Sequence, residues 1–134
     1  MTMHPGVLKK AQVEIDTHLR NERLPTFDDR EHLPYFEAVL LEVLRLHVIL
    51  PTALPHVTSA DDVYDGYFIP RGSIILANVW NYLRNENTYD SPMDFHPERF
   101  LSQDGRTKEK DPRDYMFGFG RRQDGPLLTA RVSR

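Results

Sequence analysis

An α+β fold, mainly helical with the helices first, is predicted for this 134-residue chain by three features of its sequence. Apolar residues recur at helical spacing in two stretches before position 50. After Pro51 and Pro55 the pattern switches to short strand-like pieces punctuated by Asp65-Gly66 and Pro70-Arg71-Gly72. From Asp90 to Asp114, Pro, Asp and charge dominate, with only Phe95, Phe100 and Leu101 as apolar anchors, which predicts an ordered meander.

Taken in order, Pro5 suits the first turn of a helix, and Leu8, Ala11, Ile15 and Leu19 follow on one face. Lys10/Glu14 and Asp16/Arg20 stand four apart on the wet side, so a first helix is predicted over about 4–20. Asn21 to Pro25 breaks it, and Thr26-Phe27-Asp28-Asp29 reads as an N-cap with an acid three residues on, opening a short second helix. A third is predicted from Pro34 to His47, apolar all round at Leu40, Leu41, Val43, Leu44 and Leu46. Val63 to Ile69 reads as a hairpin turning at Asp65-Gly66, and Ser73 to Ala77 as a further strand. Asn78 to Asn85 offers a helical turn or two, with Val79, Tyr82 and Leu83 on one side.

Composition excludes several function classes. A net charge of −3, with no basic cluster interleaved with aromatics, argues against a nucleic-acid partner. There is no cysteine, so disulfides, cysteine-ligated zinc, iron–sulfur centres and any thiolate ligand to haem are excluded within these residues. The six histidines are scattered and offer no close-spaced pair for a metal. Met1 to Pro5 shows no basic region leading into an apolar run, so neither a signal peptide nor a membrane anchor is expected in this sequence. Leu33 to Leu50 is interrupted by Pro34, Glu37, Glu42, Arg45 and His47, which suits a buried globular helix rather than a membrane span.

Glu42 and Arg45, three apart on the third helix, can pair on one face. Such pairs are common on solvated helices and mean little alone. Here the surrounding leucines place the pair in a core, where each charge needs a partner. Arg99 in Phe95-His96-Pro97-Glu98-Arg99-Phe100 is a second arginine whose planar fork can share the carboxylate. The ordered set Glu-x-x-Arg, then Pro-Glu-Arg-Phe, then Phe117-Gly118-Phe119-Gly120-Arg121-Arg122 resembles the C-terminal section of a cytochrome P450. Pro5 to Ile15 is similar to that family's J helix and Leu33 to His47 to its K helix, so the expected fold is a partial, incomplete P450 fold over residues 1–122, in a fungal microsomal style. The resemblance implies that Glu42, Arg45 and Arg99 form a structural triad. It also implies that His56 and Arg122 contact haem propionates, and that Phe117 and Gly120 belong to the haem-binding loop.

The family signature Phe-x-x-Gly-x-Arg-x-Cys-x-Gly is matched at Phe117, Gly120 and Arg122 and then abandoned. Asp124 stands in the axial cysteine slot and Pro126 in the last glycine slot. A carboxylate is a harder and weaker donor to iron than a thiolate, so no metal ligand is assigned here and haem, the cofactor of the parent family, is not expected to be held stably. Residues 123–134 read as an unrelated or disordered tail. The family's acid-and-threonine helix for oxygen activation lies upstream of the matched stretch and has no counterpart in this sequence.

For an intact parent the resemblance implies a monooxygenase in the endoplasmic reticulum membrane. It would use NADPH–cytochrome P450 reductase and a small organic substrate, with residues 51–57 as the part of this stretch expected to touch that substrate. The chain itself is expected to have no catalytic residues and to be inactive alone. The alternative is a non-enzymatic haem- or partner-binding remnant of a decayed or mis-assigned gene.

Overall fold

The computed structural model describes residues 2–20, 22–102 and 109–118. Helix α1, Pro5–Leu19, starts with Pro5 in its first turn, where a missing N–H costs nothing. It stops at Arg20, whose φ of 52° is left-handed. Ala11 and Leu19 are buried on its inner side. A 3₁₀ turn, Phe27–His32, follows, and its start is a capping box in which Asp29 Oδ2 accepts the backbone N–H of Thr26 at 2.8 Å. Thus the second helix read from the sequence is a tighter and shorter turn.

Helix α2, Pro34–Leu46, is the centre of the molecule. Its buried side is Ala38, Leu41, Glu42 and Arg45, with Val39 beside it, the i, i+3, i+4, i+7 spacing of a single stripe. The expectation of a helix apolar and buried all round is corrected at Leu40 and Val43, which are 43% and 37% exposed. Ala38 and Leu41 join Ala53, Val79, Leu83, Tyr89, Phe100 and Met116 in one core. Helix α3 (Val79–Tyr82), the 3₁₀ turn Pro97–Phe100 and helix α4 (Arg113–Met116) supply Val79, Phe100 and Met116, and the connecting chain supplies Ala53, Leu83 and Tyr89. The predicted meander therefore contains two short helical pieces.

Two small antiparallel sheets lie between α2 and α3 in the chain. Strands β1 (His56–Val57) and β4 (Ile74–Ile75) pair with His56 opposite Ile75 and Val57 opposite Ile74. Strands β2 (Asp62–Tyr64) and β3 (Tyr67–Ile69) form the predicted hairpin, with Asp65 at φ 50° and Gly66 at φ 80°. Two successive positive φ angles are what a two-residue turn of this hand requires, and Asp-Gly supplies them cheaply. The predicted strand Ser73–Ala77 is only two residues long. Ser73 turns back through its N–H to Pro70 O, and Ala77 O already accepts from Val79 at the entry to α3. No helix among the described residues is long and apolar enough to cross a membrane.

Candidate functional site

Glu42 and Arg45 are wholly buried, and the Arg99 side chain is 1% exposed. Arg45 grips Glu42 with its fork, Nε to Oε2 and Nη2 to Oε1, both at 2.8 Å. The helical spacing of three makes this possible, because it sets both side chains on the same buried stripe. The remaining donors of Arg45 reach backbone carbonyls of the following chain: Nη1 donates to Leu83 O (2.9 Å) and Pro92 O (2.6 Å), and Nη2 to Asp94 O (3.1 Å). Five bonds use all five N–H groups of the guanidinium. Tyr89 covers it, with its ring centroid 5.3 Å from Cζ.

Glu42 Oε1 also accepts the backbone N–H of His96 at 2.8 Å and Nε of Arg99 at 3.3 Å. Arg99 is placed by the Pro97–Phe100 turn, where Pro97 fits the first position and both Pro97 and Phe100 are buried. Its Nη1 donates to Glu109 Oε2 at 2.8 Å and to Asp90 O, and its Nη2 donates to Ser91 O at 3.3 Å. Two carboxylates, Glu42 and Glu109, thus face two guanidiniums, and the cluster is neutral as well as hydrogen-bonded. That balance allows Glu42, Arg45 and Arg99 to be buried, with Glu109 at the edge of the core, where a single unmatched charge would be expelled or neutralised. The cluster binds α2 to Leu83, to residues 90–99 and to Glu109. It leaves no acid, base or nucleophile free for chemistry.

A ring of further pairs ties the elements around it. Glu14 of α1 does not pair with Lys10. Its two oxygens accept the backbone N–H groups of Tyr35 and Phe36, both at 2.8 Å, so a carboxylate from one helix caps the N-terminus of another. Lys10 reaches Glu98 Oε1 at 2.6 Å, where Tyr35 Oη also donates at 3.2 Å. Burial pushes the Glu98 carboxyl up, but the Lys10 ammonium, the backbone N–H of Glu98 and the Tyr35 hydroxyl together hold the pKa below its ordinary value. The predicted Asp16/Arg20 pair forms no side-chain ion pair among the described residues; Arg20 instead closes α1 through its own N–H to Asp16 O.

Asp29 lies at the junction of α1 and the first 3₁₀ turn. Arg23 donates to both its oxygens at 2.6 Å, and the N–H and hydroxyl of Thr26 add two more bonds. Led by the Arg23 contact, these donors hold its carboxyl far below the usual range. Tyr89 moves the other way, because burial penalises its phenolate.

The remaining residues singled out in the sequence are not gathered with this cluster. His56 is exposed on β1, and its side chain makes no hydrogen bond among the described residues. Phe117 follows α4 and is 46% exposed. Gly120, Arg122 and Asp124 lie outside the described residues, as does the tail 123–134. A thiolate-ligated haem does not fit the donor set of this chain, since it contains no cysteine and the one placed histidine of interest is an exposed side chain on a short strand. The sequence reading missed Glu109 and Tyr89, and it set Glu14 beside Lys10 instead of at the start of α2. An uncapped N-terminus at Leu33-Pro34 signals that some acceptor must serve Tyr35 and Phe36, but nothing local says that it is Glu14.

Comparison with known proteins follows this geometry. A sequence model of the Cytochrome P450 family matches residues 1–123. The chain is 48% identical over 122 residues to Cytochrome P450 monooxygenase 208 of Postia placenta, covering 91% of this chain and 24% of that protein. It is 52% identical to Cytochrome P450 monooxygenase claR of Ampulloclitocybe clavipes, covering 91% and 23%. It is 40% identical to an O-methylsterigmatocystin oxidoreductase of Aspergillus flavus, again over 91% and 23%. The chain thus spans about a quarter of the length of the curated relatives it matches.

Proposed function

Because the chain belongs to the cytochrome P450 family, we propose that it is the C-terminal architectural section of a haem-dependent monooxygenase and that these 134 residues alone perform no oxygenation. The intact parent would insert one atom of dioxygen into a small organic substrate. NADPH–cytochrome P450 reductase would supply the electrons, at the endoplasmic reticulum membrane. Residues 1–122 are the P450 section, with the family match ending at Gln123, and the remaining tail is read as lying outside it.

One observation carries this reading: the Glu42–Arg45–Arg99–Glu109 cluster, buried except at Glu109, clamps the meander to α2 and leaves none of its own groups free for catalysis. Its role is to hold architecture. In a parent that has a cysteine, the bound haem would supply the oxygen-activating chemistry, and this section would fix the path of the chain leading to the ligand. His56, Phe117, Gly120 and Arg122 are proposed as haem-side residues of such a parent.

A chimera tests the assignment. Residues 4–122 are grafted into a full-length relative in place of its own equivalent, with the relative's cysteine segment kept. The reduced protein with carbon monoxide is then examined. We expect the absorption band of a thiolate-ligated haem, and we expect Glu42→Ala in the chimera to abolish it. A chimera that folds but never shows the band overturns the assignment.

A further inference from the structure

The connection from α2 to β1, residues 47–55, has no regular structure, yet its path is fixed at several points. Ala53 is 9% exposed, takes a left-handed φ of 54° and donates its N–H to Leu50 O at 3.1 Å. Two residues from α3 and its exit reach back to it. The N–H of Trp80 donates to Pro51 O at 3.0 Å, and Arg84 Nη2 donates to Leu46 O, the last residue of α2. Beyond this loop, all four residues of β1 and β4 are exposed, so their pairing with each other does not anchor them to the helices.

Arg84 is held unusually. Its Nε and Nη1 are buried without a hydrogen-bond partner among the described residues. Burial, and then the neighbouring Arg45 guanidinium, push its pKa below the ordinary value. Arg45 is saturated by Glu42 and three carbonyls and offers Arg84 no acceptor. What faces Arg84 instead is the indole of Trp80, with Cζ 4.5 Å from the ring centroid. The negative face of an indole is a recognised partner for a guanidinium stripped of water. An arginine lacking that face would leave two buried donors with nothing to meet.

We propose that Trp80 and Arg84 act as one unit, positioning residues that pin the α2–β1 connection and so fix how Pro51–Val57 is presented. The indole stabilises the guanidinium, the guanidinium holds the end of α2, and the backbone of the same tryptophan holds Pro51. The functional purpose rests on the reading of Pro51–Val57 as a substrate-facing segment of the parent, whereas the coupling itself does not.

Amide hydrogen exchange on the full chain tests the coupling. In Trp80→Leu and in Arg84→Met, exchange at the amides of residues 53 and 80 is expected to rise about tenfold, while Trp80→Phe keeps most of the protection. The double variant is expected to exchange no faster than either single one, and α2 amides such as Leu44 should not change. Equal protection in wild type and Trp80→Leu, or additive effects in the double variant, overturns the proposal.

Should the leucine variant fail to fold, Arg84→Lys gives a second test, since it keeps the charge but loses the planar stack. Trp80 is the single tryptophan. Its emission is expected to shift in Arg84→Lys, and an unchanged spectrum contradicts the unit. The substrate-facing reading fails separately, if replacing the residue aligned with Leu54 in a full-length relative leaves its product profile unchanged.

Discussion

Glu42 accepts four hydrogen bonds from three residues, and no other side chain among the described residues joins two buried guanidiniums. Glu42→Ala would strand Arg45 and Arg99 in the core. Urea unfolding should report a loss of about 3–5 kcal/mol, most of it the cost of leaving charge unpaired. A loss below about 1 kcal/mol, the range of an exposed pair, would mean that the cluster is solvated. Glu42 and Arg45 were legible in the sequence because helical spacing and flanking leucines suffice to pair and bury them. Arg99 needed the order of motifs. Glu109 and Tyr89 were not legible, since the chain folds back to bring them in and no periodicity encodes that return.

Asp29 gives the second residue-scale prediction. Its carboxyl is lower in the folded chain than the unfolded value of about 3.9. The stability it contributes is therefore fully present above that value and is lost as pH falls below it toward the folded pKa. The thermal midpoint of the wild type should drop between about pH 5 and pH 2 more steeply than that of Asp29→Asn. Parallel curves would show that the carboxylate is not the sensor.

Among elements, α2 depends on a neighbour for its start. Leu33 provides no side-chain cap, and Glu14 does the work from α1. Glu14→Ala should cost about 1–2 kcal/mol, near the upper end for a cap because a charge at the helix N-terminus is lost too. Faster exchange of the Tyr35 and Phe36 amides is the check. The hairpin was readable because Asp65-Gly66 encodes its own turn, and Gly66→Ala, at φ 80° in open space, should strain that turn alone by about 1–2 kcal/mol. Far-ultraviolet dichroism of α1 and α2 should be unchanged in that variant. The length of β4 could not be read, because it is limited by the turn at Ser73 and the entry to α3 rather than by β propensity. The exposed side of α2 was misjudged for a related reason: Leu40 and Val43 are apolar, and only packing decides which apolar residues a core receives.

For the whole molecule, family membership and a quarter-length match stand beside a surface rich in large apolar side chains. Leu24, Phe27, Leu54, Val57, Phe68 and Ile74 are all more than 60% exposed. Surfaces of this kind associate, so sedimentation velocity should find the purified chain self-associating in a concentration-dependent way. A strict monomer at high concentration would argue against it.

The central claim is that this chain carries P450 architecture without the means to hold P450 haem. The most direct test is a haemin titration of the dilute, folded chain followed by Soret absorption. We predict no saturable one-to-one complex, because the chain contains no cysteine, its six histidines are scattered, and His56 is exposed on β1. A stoichiometric low-spin complex, lost in His56→Ala or Asp124→Ala, would contradict the account.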